Sequence, residues 1–528
     1  MRGHSVFTAG AICAVLAAVG CDALSIGLTG DCDYMLTCAH HDWLQGEGGG
    51  PPNPACEADP TEDASTVSDE CAVFARASAE AGGDGTKERP YASLAEAVAN
   101  AGGKRVLACA SGAFAESVTI EAGVEVIGGF DCDAGWTWSA AARSAIEGPA
   151  GAVALTMTEG ASGAKVRSFA VRAASATELG GSSIGVAVAD VEAELAQVDV
   201  TAGDGMAGAN GETPEEASQA GASASEVVSN ACEGVFGGEP GVTICQDGET
   251  RGGAGGLGGT TGTDEGNGQK GADGAPLPEP NSNNKGLGGT GQTGTADECR
   301  RGEDGKSGDP GSAGEARSDT QLTLVGIVGG DGDSGTSGKR GQGGGGGGGA
   351  KAGLFCGAAS NPVTGPGANG GGGGAGGCGG KGGGGGKAGG SSLGIVSLGT
   401  KLVLTEVTVA VGRAGKGGDG VAGQNGADGG AGATGGAASA NPPSIPGCDG
   451  GKGGRGGAGG PGGGGRGGHA VGVAYAVAPT AAVELMEFTA GMAGAGGNAG
   501  PGGSEENAGD DGVSGACWDF GGNESCGQ

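Results

Sequence analysis

Short apolar segments rich in β-branched residues alternate with long glycine blocks along the chain. Three such segments align with one another: GVAVADVEAELAQVDVTAG from Gly185, GIVSLGTKLVLTEVTVAVG from Gly394 and GVAYAVAPTAAVELMEFTAG from Gly472. A shorter member, LTLVGIVGGDGDSG, begins at Leu322. Short β-branched runs spaced by Gly or Ser are typical of buried parallel strands. The recurrence therefore predicts an all-β chain whose repeated strands stack into one continuous core.

One helix is predicted near the start of the apolar pattern. Ser93 and Glu96 have the spacing of a capping box, and Gly102 follows as a helix-ending residue. The runs RVLACA, SVTI and VEVIGGF come after it and predict short strands. The apolar face of the predicted helix consists of Leu94, Ala97, Val98 and Ala101.

This stretch resembles a known fold. The pattern Gly85-Thr86, Pro90-Tyr91 and Ser93-Leu94-x-x-Ala97, followed by strands and by Gly128-Gly129-Phe130, resembles the N-terminal cap and first coils of pectin-lyase-like proteins. The GGFDC and W-x-W ending is similar to a group of myxobacterial lipoproteins with glycine-rich sequence. The resemblance covers residues 71–203 and, loosely, the later repeats. It implies a right-handed parallel β-helix with one N-terminal capping helix and long glycine-rich loop extensions; a jelly roll or sandwich is the alternative.

Four regions follow from this interpretation. Residues 1–20 are predicted to be a signal peptide and residues 21–69 a Cys/Gly/Pro-rich tether. Residues 70–203 would form the cap and first β-helix coils. Residues 204–528 would carry the later strand repeats with glycine-rich insertions.

The N-terminus predicts export and lipid anchoring. A basic start precedes an apolar run from Val6 to Val19, which is too short to span a bilayer. The run ends in LAAVGC, which resembles a bacterial lipobox with Cys21 as the lipidated residue, although Ala18 stands where Leu is usual. The alternative is ordinary secretory cleavage, with Cys21 left for a disulfide. We expect the outer membrane or cell surface as the location.

Two structures are open for the glycine blocks. Glycine makes up 134 of the 528 residues, and such sequence is costly to order because glycine loses the most backbone entropy. Against disorder, glycine recurs every third residue from Gly420 to Gly435, the period of extended polyproline-type helices. Twenty prolines are too few for collagen. The blocks are predicted to be disordered or to form laterally hydrogen-bonded polyglycine-type helices; the composition resembles PE-PGRS proteins, without the PE domain.

The cysteines indicate an oxidising compartment. Without Cys13 of the signal and Cys21, an even set remains, which in an exported chain predicts disulfides. Local pairs suggested by spacing are Cys32 with Cys38, Cys232 with Cys245 and Cys517 with Cys526. The full candidate set is Cys32, Cys38, Cys56, Cys71, Cys109, Cys132, Cys232, Cys245, Cys299, Cys356, Cys378, Cys448, Cys517 and Cys526.

Charge and composition limit the partners. A formal charge of −33 disfavours nucleic acid, which requires clustered Lys and Arg. Aromatic residues are 3%, too few for a stacking platform that binds single strands or sugars. The predicted partners are the membrane, through the lipid, and extracellular polysaccharide or neighbouring surface proteins.

No residue is a catalytic candidate, and no cofactor is predicted. Asp331, Asp333 and Asp428 lie in glycine-rich turns, but their spacing departs from the calcium nonapeptide, which leaves at most weak Ca²⁺ binding. His40 and His41 are metal-ligand types within the tether, more simply explained as exposed side chains. His469 lies outside any polygalacturonase-type motif.

The pattern thus predicts a structural or adhesive surface scaffold. The alternatives are a carbohydrate-active enzyme, either polysaccharide lyase or hydrolase, and a glycan-binding module. An enzyme would require a cleft along a strand face, lined by grouped acids and bases.

Overall fold

Strands dominate the regular structure. The computed structural model describes residues 54–235, 238–481 and 483–526. Its one α-helix among these residues is α1 (Leu94–Ala99), and short 3₁₀ turns span Pro54–Cys56, Ala64–Thr66, Glu159–Ala161, Asp264–Gly266 and Glu505–Asn507. The strands are β1 (Ala72–Ala75), β2 (Arg105–Cys109), β3 (Ala113–Phe114), β4 (Val118–Ile120), β5 (Glu125–Asp131), β6 (Thr137–Trp138), β7 (Ser144–Gly148), β8 (Leu155–Met157), β9 (Ala164–Ala173), β10 (Ser183–Val188), β11 (Ala193–Ala202), β12 (Val242–Cys245), β13 (Gly248–Arg251), β14 (Thr320–Thr323), β15 (Gly326–Gly329), β16 (Gly353–Ala358), β17 (Asn361–Gly365), β18 (Ser392–Ser397), β19 (Leu402–Thr405), β20 (Thr408–Val411), β21 (Ala470–Tyr475), β22 (Glu487–Thr489) and β23 (Ser514–Asp519).

Two sheets carry most of these strands. The larger has the order β1-β2-β5-β9-β11-β20-β22, with β3, β6, β7 and β19 joined at its sides. Its strands pair in parallel, except that β6 runs antiparallel to β5. The smaller sheet has the order β23-β21-β18-β10-β8-β4 and is parallel throughout.

The main hydrophobic core lies between the two sheets. Val166 and Val198 of the larger sheet belong to the same buried cluster as Val186, Ile395 and Val473 of the smaller sheet. Every residue of β10, β18 and β21 is buried. The strands of parallel sheets covered on both faces are continuous apolar runs, which explains the runs seen in the sequence.

The three long repeats stack as predicted. Val186 of β10 pairs with Ile395 of β18, which in turn pairs with Val473 of β21. The second halves of the repeats stack in the same way in the larger sheet, as β11, β20 and β22.

The fourth, shorter member differs. Its residues form the antiparallel hairpin β14–β15 and add no strand to either sheet. Leu322 of this hairpin packs with Ile184 and Leu393 on the outer face of the smaller sheet. The hairpin therefore covers that sheet. Two other hairpins, β12–β13 and β16–β17, are likewise separate.

The predicted helix forms, but Glu116, and not Glu96, supplies the second capping side chain at its N-terminus. Ser93 Oγ accepts the backbone N–H of Glu96 at 3.0 Å, as expected at an N-cap. Glu116, from the region before β4, supplies the reciprocal carboxylate: it accepts from Ser93 Oγ and from Leu94 N, both at 2.6 Å. Leu94 and Ala97 are fully buried. The helix closes the end of the core beside β1, β2 and β4.

The prediction of a right-handed parallel β-helix with glycine-rich loop extensions is wrong. In the part of the chain that the structure describes, the strands form two sheets of mainly parallel strands and three separate hairpins, with no solenoid of coils. The local pattern of short β-branched runs predicts strands and their burial, which any parallel sheet satisfies. It does not encode which strands pair. The glycine-rich sequence, moreover, forms no set of loops leaving one corner, because its segments bond to one another through their backbones.

All the described cysteines are paired. Cys517–Cys526 is confirmed, whereas Cys232 bonds Cys356 and Cys245 bonds Cys378, so the predicted Cys232–Cys245 pair is wrong. Cys32 and Cys38 lie outside the described residues. The remaining pairs are Cys56–Cys71, Cys109–Cys132 and Cys299–Cys448.

The first described residues lie against the larger sheet. Arg105 of β2 donates to the carbonyl oxygens of Cys56 and Ala58 at 2.8 and 2.7 Å. Asp59 pairs with Arg167 of β9 at 2.6 Å. Residues 54–69, within the predicted tether, are thus attached to the sheet.

Candidate functional surface, a hydrogen-bonded glycine array

The glycine blocks form an ordered array of chain segments joined by backbone hydrogen bonds. Gly344 donates to the Gly374 carbonyl at 2.9 Å, and Gly341 donates to the Gly377 carbonyl at 2.8 Å. These bonds recur every third residue along both segments, the repeat of a helix with three residues per turn. We call these segments the glycine array: residues 203–231, 238–241, 252–259, 266–275, 286–292, 300–317, 330–350, 366–390, 412–437, 447–468, 491–500 and 507–512.

The unbroken run of glycines, residues 343–349, lies at the centre of the array. Each of its N–H groups donates to a neighbouring segment, and successive residues donate in turn to three different segments. Three further segments donate to its carbonyl groups. The surrounding segments comprise residues 253–256, 269–275, 289–292, 300–303, 371–374 and 448–451.

This position explains the composition of the run. An ideal Cβ placed on Gly346 would overlap the carbonyl oxygen of Ala254, and one on Gly347 would overlap that of Cys448. The same holds for all seven glycines of the run, each against a backbone carbonyl. With a neighbour on every side, no position in the turn can hold a side chain. Glycine is therefore required there for close backbone approach, and all seven residues are buried.

At the rim of the array, where a segment has fewer neighbours, only one residue in each three-residue turn has to be glycine. In residues 302–314, the N–H groups of Gly302, Gly305 and Gly308 donate to Asp449, Lys452 and Arg455, at 2.8 to 2.9 Å. Most of the intervening positions carry charged or polar side chains, and Glu303, Lys306 and Asp309 are exposed. The glycine content of each triplet thus increases with the number of neighbouring segments.

Charged pairs recur along the rim at a spacing of three residues. A Lys or Arg and the Asp three positions later lie on the same side of a three-residue turn. The four pairs are Lys270–Asp273, Arg301–Asp304, Lys306–Asp309 and Lys416–Asp419, with N–O distances of 2.9, 2.9, 3.3 and 2.7 Å.

Several of these aspartates also accept a backbone N–H from the next segment. Asp273 accepts from Gly288 and Asp419 accepts from Asn498, both at 2.7 Å. Partial burial alone would raise the pKa of Asp273, but the Gly288 N–H and the Lys270 ammonium outweigh it and lower the pKa. The carboxylates therefore act as end caps for backbone donors at the rim, in their ionised form.

The aspartates considered for calcium are each paired with a cation. Asp331 lies 2.9 Å from Lys387 Nζ and accepts the Ala388 N–H at 2.8 Å. Asp333 pairs with Arg317 at 2.9 Å, and Asp428 lies 3.6 Å from Arg455 Nε. Among the described residues, no group of three or more His, Cys, Asp or Glu side chains could hold a metal ion.

His469 is a packed structural residue. The residue is 2% exposed, and its ring lies edge-on to that of Phe520, with ring centroids 5.1 Å apart. Nδ1 accepts the Val513 N–H at 3.1 Å. Burial, with a smaller contribution from the Arg466 charge, lowers the pKa of His469 to about 3. The imidazole is therefore neutral and holds the chain that leads into β23.

Open clefts lie on the surface of the described chain. One of about 330 Å³ is lined by Arg76, Lys87, Arg89 and Trp136 among others. Its arginines are already paired: Arg76 with Asp133 and Arg89 with Asp84, each at 3.0 Å. Two other clefts measure about 190 and 140 Å³.

Other residues singled out in the sequence fall elsewhere. Cys21, His40 and His41 lie outside the described residues. In the part of the chain that the structure describes, no helix has the length and apolar character to cross a membrane. The array centre and the rim pairs were not predicted as sites. Their signals are present in the sequence as the seven-glycine run and the recurrent Lys/Arg-x-x-Asp spacing.

No protein-family model, curated protein or solved structure matches this chain.

Proposed function

We propose that the chain is an exported, lipid-anchored surface protein that serves as a structural or adhesive scaffold. The observation that carries this proposal is the glycine array, in which interior segments are fixed by backbone hydrogen bonds and the charged side chains lie at the rim. Such a body presents a broad, charged and sterically defined surface. Its partners would be extracellular polysaccharide or neighbouring surface proteins.

Cross-links support a load-bearing role. Three disulfides in and beside the array join residues that are far apart in sequence, with separations of 124, 133 and 149 residues. Closing loops of this length removes much of the entropy of the unfolded chain, about 5 kcal/mol for each bond in the chain-entropy treatment. Disulfides in this number are typical of proteins that work in oxidising compartments.

Anchoring rests on the sequence around Cys21. A lipidated Cys21 would attach the described body to a membrane through the residues that precede position 54, and a scaffold needs such a fixed position. One acyl chain alone gives only reversible membrane binding, so a lipoprotein-type anchor with several chains is needed for stable attachment.

The test is expression of the full chain, with its own signal, in a bacterium that processes lipoproteins. We expect incorporation of labelled palmitate, partition into detergent phase and labelling of intact cells by an impermeant biotin reagent. Cys21→Ala should abolish palmitate incorporation and release the protein, while the matched control Cys13→Ala should leave both unchanged. A wild-type protein that carries no palmitate and stays in the aqueous phase would contradict the anchoring, and absence of biotin labelling would contradict surface exposure.

A further inference from the structure

One segment of the array lies in a groove, and the groove continues past the end of that segment. Residues 491–500 lie between two walls of the array. On one wall, Gly417 donates to the carbonyl of Ala495 at 2.9 Å. Toward the other wall, Gly497 donates to the carbonyl of Gly465 at 2.8 Å. The groove thus holds an extended chain through a ladder of donors on one side and acceptors on the other.

The occupying segment ends while both walls continue. Pro501 and Gly502, with φ of +96°, turn the chain out of the groove. The walls remain joined beyond this point, since Gly456 donates to the carbonyl of Ala427 at 2.8 Å. We call the continuation, between residues 421–435 and 447–461, the backbone groove.

The ladder is repeated along the backbone groove without a protein partner. Among the described residues, no acceptor takes the N–H groups of one glycine row on residues 421–435, and no N–H donates to the carbonyls of one glycine row on residues 447–461. Both rows keep the three-residue spacing of the occupied part. The donors are Gly423, Gly426, Gly429 and Gly432, and the acceptors are Gly450, Gly453, Gly456 and Gly459.

The occupied part shows which chain fits. Residues 491–500 carry glycine at every third position, and a Cβ on Gly494 or Gly497 would overlap the carbonyl of Gly415 or Gly418. The positions between can hold larger side chains, as Met492 and Asn498 do; Met492 is 62% exposed. A matching segment must therefore be extended, with glycine at every third residue.

Arg455 spans the backbone groove. Arg455 belongs to the wall formed by residues 447–461, and its side-chain Nε donates to the carbonyl of Gly426 on the opposite wall at 3.0 Å. The same Nε lies 3.6 Å from Asp428, whose side chain is 76% exposed. An exposed pair of this kind is weak, so the side chain can leave at little cost.

We propose that the backbone groove docks an extended segment of a second polypeptide that carries glycine at every third residue, with Arg455 as a displaceable clasp. The segment would run in the direction of residues 491–500, accept from the glycine N–H row and donate to the carbonyl row. The inference rests on the proposed scaffold role and deepens it by naming a class of partner. Its test uses the purified chain without membrane, so its failure is distinct from failure of anchoring.

The experiment measures binding of a fluorescein-labelled (Gly-Ser-Ala)₄ peptide by anisotropy. We expect the wild type to bind it, and Arg455→Ala to bind about tenfold more tightly, because the peptide then no longer has to displace the Arg455 side chain and break its hydrogen bond to Gly426. A peptide of equal composition but without the three-residue period should not bind. The matched control is Arg317→Ala, which removes the ion pair with Asp333 on another edge of the array and should leave the affinity unchanged.

Amide exchange locates the peptide. Binding should slow exchange at Gly423, Gly429 and Gly432 and leave the hairpin β14–β15 unaffected. Equal binding of the aperiodic peptide, protection elsewhere, or no binding to either variant would overturn the proposal. So would dimerisation of Arg455→Ala, in sedimentation, without peptide uptake, because the occupant would then be a second copy of this chain.

Discussion

At the scale of single residues, the role of glycine in the array is to let neighbouring backbones approach closely, and not to make the chain flexible. The seven glycines of residues 343–349 hold the most crowded position of the array, where each backbone group meets a neighbouring backbone. The entropy lost by ordering glycine is offset by hydrogen bonds in all lateral directions and by contacts that a Cβ would prevent. Rim positions, with fewer neighbours, can accept side chains.

We expect Gly347→Ala to destabilise the protein by roughly 3 kcal/mol or more, because its Cβ would overlap the Cys448 carbonyl and force two segments apart. Ser307→Ala, at an exposed rim position, should change stability by less than about 0.5 kcal/mol. Urea denaturation with the disulfides intact measures both. Similar small effects of the two substitutions would show that the centre is loosely packed.

His469 gives the protein a defined pH dependence. Its folded-state pKa of about 3 lies below the ordinary value of 6.5, so the unfolded chain binds the proton more readily. Stability from the neutral ring is therefore complete above pH 6.5 and is lost as pH falls toward 3, by up to about 1.4 kcal/mol per pH unit.

His469→Asn should remove this dependence, since the Asn oxygen can replace Nδ1 as acceptor for the Val513 N–H. The measurement is the free energy of unfolding at several pH values between 3 and 7. The variant should have the shallower slope. An unchanged slope would mean that other groups, such as the aspartates of the rim, account for the dependence.

At the scale of elements, the sequence reveals strands and the helix but not their long-range partners. The cap at Ser93 follows from three-residue spacing, whereas Glu116 reaches the same helix from 22 residues away and has no local signal. The segment at Leu322 has strand residues like its longer relatives. It lacks a second strand run, however, and the chain reverses at Leu324 and Val325, directly before Gly326, whose φ is +111°.

The disulfides fail to follow local spacing for the same reason. An array of side-by-side segments brings together residues far apart in sequence, so Cys232 meets Cys356 and not the nearer Cys245. Glycine periodicity could have predicted which segments are extended. It could not predict which segments are neighbours, because glycine has no side chain that could select one neighbouring segment over another.

Loop length should determine how much each disulfide contributes. Cys299→Ser with Cys448→Ser opens a separation of 149 residues and should cost about 5 kcal/mol, whereas Cys517→Ser with Cys526→Ser opens 9 residues and should cost about 2–3 kcal/mol. Urea midpoints of the two double variants test the order. The reverse order would mean that the array retains structure in the unfolded state.

At the scale of the whole molecule, two kinds of core stabilise one body. Between the sheets, apolar side chains are buried in the usual way. In the array, the interior consists of backbone with few side chains, and its stability depends on hydrogen bonds and close packing. The two regions are continuous, because β11 leads directly into residues 203–231 of the array, and β18 and β21 follow residues 366–390 and 447–468.

Amide exchange should reflect this double core. We expect residues 343–349 and 370–374 to exchange as slowly as β10 and β18, because both regions open only with large parts of the molecule. The turn of the β14–β15 hairpin, where Val325 is 77% exposed, should exchange fast. Mass spectrometry of proteolytic fragments resolves these regions. Fast exchange throughout residues 343–349 would contradict a hydrogen-bonded array.

The three-residue repeat also constrains how such a chain can lengthen. An insertion of one triplet in a segment returns every later residue to its former face, so glycines still meet neighbouring backbones. An insertion of one or two residues turns the remainder of the segment by a third or two thirds of a revolution and directs rim side chains into the interior. Length changes in the array are therefore tolerated in whole triplets, much as a coding sequence tolerates them in whole codons.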